Sequence, residues 1–161
     1  MFNEVKSYTL KSSGKLNNLP TEVIVLSNAR KKQNEIMPKM WRGIWDTGAS
    51  ISCINQKIVN DLALISVGKT QLNTAGGLKI ADIFLVDIGL PNNVIVPNVL
   101  VSCADLGKNL DVLIGMDIIS LGDFAITNLN GRTIFSFRIP SISIIDFNDQ
   151  EETYKQMLNF N

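Results

Sequence analysis

The chain has 161 residues, 45% of them hydrophobic, with 15 basic and 15 acidic side chains and no histidine. That length and composition suffice for one globular domain with its own core, and the balanced charge, free of any basic block, excludes an electrostatic footprint for nucleic acid. Without histidine, Ser-His-Asp and Cys-His catalysis and imidazole-based zinc sites are excluded, which leaves carboxylates, hydroxyls and backbone amides for any chemistry.

The N-terminus, Met-Phe-Asn-Glu-Val-Lys, lacks the charged-then-apolar profile of a secretory signal. Apolar stretches such as residues 83–86 and 94–96 are far too short to cross a bilayer. Taken as the complete product, the sequence predicts a cytoplasmic protein with no membrane partner. From there, short apolar-rich runs separated by turn residues dominate. Residues 5–10, 21–26, 40–45, 71–73, 78–88, 94–101, 124–127 and 133–137 read as strands. Pro91-Asn92-Asn93 marks a turn, and Asn130-Gly131, tolerant of positive φ, predicts a tight hairpin between the last two strands. Helical pattern is scarce: two turns over 55–62, one over 116–121, and a terminal helix over 148–158 behind Asn148 and Asp149. Cys53 and Cys103 lie fifty positions apart in apolar surroundings and read as buried thiols acting as small hydrophobes. There is no internal repeat, low-complexity tract or Walker-type phosphate loop. The fold class is all-β, closed or strongly curled, with one or two short helices.

Trp45-Asp46-Thr47-Gly48-Ala49-Ser50 is the informative hexapeptide. It follows the apolar strand 40–45, so Asp46 falls at a strand end, on a loop. Gly48 permits close backbone approach, backbone amides of so tight a loop favour an ionised carboxylate, and the Thr47 hydroxyl is placed to lock the loop from below. An ordinary β-turn accounts for the same triplet, which composition alone produces in roughly one chain in ten of this length. A second feature shifts the balance. Asp111-Val112-Leu113-Ile114-Gly115-Met116-Asp117-Ile118-Ile119 reads as a buried strand ending in glycine, then a turn of helix.

Together these two motifs resemble the retropepsin-like (retroviral-type) aspartic proteases, in the form of a bacterial-type single-domain member. The stretch 72–80, with Ala75, Gly76 and Gly77, is similar to that family's glycine-rich flap hairpin, and 133–141 to the final strand of bacterial relatives. The resemblance covers about 21–141, which leaves 1–20 as an N-terminal strand or extension and 142–161 as a tail, helical by its pattern. It implies a closed acid-protease barrel that forms half of a twofold dimer. Three residues depart from the viral pattern: Ser50 stands where an acid helps hold substrate backbone, Met116 where a basic residue braces the dimer, and Trp45 where an aliphatic residue precedes the Asp.

The implied chemistry needs two carboxyls sharing one proton, because like charges about 3 Å apart cannot both ionise. Only one Asp-Thr/Ser-Gly occurs. Asp87-Ile88-Gly89 lacks the hydroxyl and reads as a strand end. The resemblance therefore implies a homodimer with Asp46 facing itself across the axis, acting on a peptide or protein substrate without cofactor or metal. It assigns Asp46 as catalytic, Thr47 and Gly48 as loop support, and Ile44, Ala49, Ser50, Ala75, Gly76, Gly77 and Leu113 as substrate-binding, although Leu113 fits a core role equally well. Two other readings stand beside it: a catalytically silent dimer of the same fold used for binding or regulation, and a small β-barrel interaction module in which Asp46 is a turn residue.

Overall fold

The computed structural model describes residues 4–27, 38–74 and 77–159. The chain is mostly β with a few short helices. In chain order the elements are β1 (Lys6–Lys11), β2 (Leu19–Ser27), β3 (Met40–Trp45), β4 (Cys53–Ile54), α1 (Gln56–Asp61), β5 (Gly68–Thr74), β6 (Gly77–Gly89), β7 (Ile95–Cys103), β8 (Val112–Ile114), α2 (Met116–Ile119), β9 (Asp123–Thr127), β10 (Ile134–Ile139) and α3 (Phe147–Asn159).

Alternation sets the faces. In β3, Trp41, Gly43 and Trp45 point inward and are buried, while Met40, Arg42 and Ile44 point outward. β2 does the same, with Leu19, Thr21, Val23 and Val25 buried. The larger sheet has the order β2-β3-β8-β4-β7-β6-β5, and β2 also pairs with β6, so the hydrogen-bonded order returns on itself and leaves β5 attached outside the ring. Inside the ring Trp41, Ile54, Val86, Val101, Val112 and Ile114 are almost wholly buried, each stabilising the fold by about 1.5–3 kcal/mol in transfer terms.

The second sheet has the order β1-β10-β9. It meets the first through an aromatic cluster centred on Trp45, whose ring centroid lies 4.7 Å from Phe137, 5.4 Å from Phe135 and 6.1 Å from Phe124. The bulk of Trp45 thus has a physical reason: an aliphatic residue would leave the space between the sheets unfilled. Gly122, between α2 and β9, is required for close approach, since a Cβ there would sit 2.0 Å from the Arg138 carbonyl oxygen.

The strands predicted from the sequence all form, with ends shifted by a few residues, and Asp87-Ile88-Gly89 does end β6. Three details differ. β4 was not expected, because two residues carry no periodicity. The β9–β10 connection runs over residues 128–133 as a wider loop than a tight hairpin, although Asn130 (φ 53°) and Gly131 (φ 71°) do take the positive-φ conformation. Cys53 and Cys103 are half-buried rather than buried, the first hydrogen-bonded to the Ser102 hydroxyl and the second to Gln56 Oε1.

Candidate active site

β3 and β8 run parallel in the register Gly43↔Val112, Ile44↔Leu113, Trp45↔Ile114, and the ladder continues for one more bond, from the Asp46 N–H to the Ile114 carbonyl at 2.9 Å. The chain then reverses. The Ala49 N–H donates to the Asp46 carbonyl at 3.3 Å, and the Gly48 N–H donates to Asp46 Oδ1 at 2.8 Å. Half-exposed Asp46 is therefore oriented by an amide of its own loop, and its Oδ2 makes no hydrogen bond among the described residues. Thr47 and Ser50 are exposed and Ala49 is half-buried. The Thr47 hydroxyl makes no bond to the loop among the described residues, so the lock from below expected of it is supplied by other groups.

Those groups come from the turn between β8 and α2. The Met116 N–H donates to the Ala49 carbonyl at 2.8 Å. Gly115 lies so close beneath the loop that a Cβ there would fall 2.7 Å from the Ile51 carbonyl carbon and 2.9 Å from the Ala49 oxygen. Ser52, fully buried, is the junction: its hydroxyl accepts from the Gly115 N–H at 3.0 Å and donates to Asp117 Oδ1 at 2.8 Å, while its N–H donates to Asp117 Oδ2 at 3.0 Å. Nothing in the sequence marks Ser52, and Asp117 reads there as part of the downstream motif and a candidate brace of the dimer. The Ser52–Asp117 contact joins positions 65 apart, and no local pattern announces it. A second brace holds the outer end of β3. Asp111 accepts from the Arg42 N–H at 3.1 Å and from Asn55 Nδ2 at 2.9 Å, and Asn55 Oδ1 in turn caps α1 by accepting from the Ile58 N–H at 3.1 Å.

Cross-strand partners share a face of the sheet. Ile44 pairs with Leu113, Leu113 with Cys53, Cys53 with Ser102, and Ser102 with Ile83. Ile44, Leu113 and Cys53, all half-buried, thus form an apolar strip across the outer face of the ring, which the buried Ser102 links to half-buried Ile83. Leu113 lies on this strip and not in the ring's interior. Burial raises the pKa of the Cys53 thiol against the opposing hydrogen bond from Ser102, and the Asp117 and Asp46 carboxylates raise it further. Asp46 comes two residues after Ile44, directly beyond the end of β3, so this end of the strip lies next to it. A groove of about 640 Å³ opens on the outer side of β2 and β3, with Tyr8, Leu10, Arg42 and Ile44 among its walls. It reaches the strip through Ile44.

The β5–β6 hairpin rises from the far end of the strip. Gly77, the first residue of β6, is exposed at φ +96°. Ala75 and Gly76, expected to bind substrate, lie outside the described residues. No group of three or more His, Cys, Asp or Glu that could hold a metal ion comes together among the described residues.

An aspartyl protease family profile matches residues 38–118, from just before β3 through most of α2. No curated protein matches the chain at a significant level. Among solved structures, the chain is similar to a retropepsin-like aspartic protease from Rickettsia conorii at 15% identity and a TM-score of 0.52, covering 86% of this chain and 98% of that one. Two further similarities are the Simian Foamy Virus (mac) protease (17% identity, TM-score 0.42, 61% of this chain and 88% of that one) and the retroviral protease-like domain of Ddi1 from Leishmania major (14% identity, TM-score 0.42, 75% and 95%).

Proposed function

The chain belongs to the aspartyl protease family and has the retropepsin-like fold, and on that premise we propose that it is an aspartic endopeptidase whose active site is completed by a second copy of itself. The observation that carries the reading is Asp46: a half-exposed carboxylate at a strand end, oriented through Oδ1 by the Gly48 amide and braced from beneath by the Gly115 turn, with its second oxygen available. One such carboxyl cannot both activate water and protonate a carbonyl. The sequence holds one Asp-Thr-Gly, so the second carboxyl is Asp46 of the partner subunit, brought opposite by a twofold axis.

In the mechanism this implies, the ionised member of the pair takes a proton from water as it attacks the scissile carbonyl. The protonated member donates to the carbonyl oxygen, and no covalent intermediate forms. The two carboxyls titrate as a pair. Gly48 positions the acid, and Thr47, exposed beside it, is free to reach across the axis. Ile44, Leu113 and Ala49 form side-chain pockets and Ser50 meets the substrate backbone. Gly77, with Ala75 and Gly76, hydrogen-bonds an extended peptide bound as an added strand. The ring of strands acts as the rigid barrel of each half. β1 and β9 are the edge strands of the second sheet among the described residues, and the edge of β9, next to the Trp45 cluster, is where the partner docks in this reading. No described helix is long and apolar enough to cross a membrane.

The test is a peptide-library digest by wild type and Asp46→Asn, repeated across a dilution series with sedimentation on the same samples. The amide lowers cleavage by about 10³-fold or more while folding and association persist. Wild-type activity falls on dilution as dimers part. Equal cleavage by the mutant, or full activity in a proven monomer, overturns the proposal; a folded dimer that cleaves nothing identifies a binding module.

A further inference from the structure

We propose that Lys79 makes the peptide-binding cleft selective for an acidic side chain. This rests on the peptide-cleaving reading above and adds the class of substrate to it.

β5 and β6 pair without a slip from Gly68↔Ile83 to Thr74↔Gly77, so side chains alternate strictly along the hairpin. Ile83 is linked through Ser102 to the apolar strip of Cys53, Leu113 and Ile44 beside Asp46. Ala81 and Lys79, two and four residues before it, share its face of the hairpin. Leu78, Ile80 and Asp82 take the opposite face, in line with Phe84, which turns into the ring's core. Lys79 therefore extends the cleft side of β6 to about 13 Å beyond Ile83, the length of about four residues of an extended peptide.

The other charged groups on that face lie away from the hairpin, where Glu22 and Arg42 face each other across β2 and β3. Arg42, two residues before Ile44 on the outer face of β3, lies 3.7 Å from Asp111. Asp117 is engaged by Ser52. Asp46 belongs to the chemistry. Lys79 is exposed and forms no ion pair among the described residues. A strand-like peptide lying on the strip sends alternate side chains toward the hairpin. There it meets apolar surface at Ile83 and Ala81 and an unpaired ammonium at Lys79. A carboxylate at that position gains the attraction, and a lysine or arginine there is repelled.

The experiment profiles a charge-varied peptide library with wild type, Lys79→Met and Lys79→Glu, and measures peptide binding in parallel on the Asp46→Asn background. Wild type favours Asp or Glu over the matching amide at one position several residues from the scissile bond by about fivefold at low salt. The preference shrinks at high ionic strength. Lys79→Met removes it, and Lys79→Glu transfers it to Lys or Arg at the same position, with the change in KM and little in kcat. Cleavage without a charge preference, or a preference that Lys79→Met leaves in place, overturns the inference and leaves the hydrolase reading standing. Acidic-selective binding that Lys79→Met erases, in a protein that cleaves nothing, upholds the inference and removes the hydrolase.

Discussion

The loop that carries Asp46 and the β5–β6 hairpin are both strand-to-strand connections, yet they are held in different ways. The loop is short and bonded on every side: to β8 through Ile114, to the α2 turn through Met116, and through Ser52 to Asp117 and Gly115. The hairpin is long and bonded mainly to itself, by the β5–β6 ladder, and it exposes Leu78 and Ile80 by 67% and 74%. The difference assigns them different tasks. A group that does acid–base chemistry needs a fixed position, whereas a cover that admits and releases a peptide needs few contacts to break.

A matched pair of glycine substitutions tests that contrast most directly. Gly115→Ala forces a methyl against the Ile51 and Ala49 backbone, which cannot rotate aside. It costs about 3 kcal/mol of stability and takes peptide cleavage with it. Gly77→Ala meets no atom within 4 Å and suffers only the strain of φ +96°, about 1 kcal/mol; stability barely changes while turnover responds to a stiffer hairpin. Urea midpoints and cleavage rates on both variants decide the matter, and equal losses of stability would erase the distinction.

A control lies outside both regions. The Ser141 hydroxyl, the Ile142 N–H and the Arg138 guanidinium hold the Asp123 carboxyl down from the usual 3.8 to about 2. A carboxyl depressed on folding stabilises the protein above its unfolded pKa, and that contribution is lost as pH falls through the folded one. Comparing urea melts of wild type and Asp123→Asn, the advantage of wild type is complete above about pH 4 and fades toward about pH 2. An advantage unchanged over that range would mean that this cluster does not hold the segment after β10.

Much of this was legible in the sequence where a pattern repeats or a motif is local. β3 shows inward Trp41, Gly43 and Trp45 in strict alternation, and Asp46-Thr47-Gly48 announces a turn and a carboxylate at once. What the chain builds from distant positions was not legible. β4 exists only because Cys53 and Ile54 are held between β7 and β8. Ser52 looks like any loop serine until Asp117 is brought beneath it. Trp45 stood out as an oversized neighbour of the acid, but its purpose needed the three phenylalanines from β9 and β10, which lie some eighty to ninety positions later.

The pairing of β1 with β10 has a consequence for the order in which the protein is made. Thr9 and Ser136, hydrogen-bonded across that pair, are 127 positions apart. During synthesis β1 leaves the ribosome long before its partner exists, and the loop it must close is nearly the whole chain. The ring of strands can assemble while β1 waits, since every strand of the ring precedes β9. The face of Trp45 that the second sheet covers stays bare until Phe135 and Phe137 arrive. Asp46 follows Trp45 directly, but the bonds that seat it come from Gly48, Ile114 and, through Ala49, Met116, all made before β9, so a nascent chain can hold its acid in position while the neighbouring tryptophan still waits for cover.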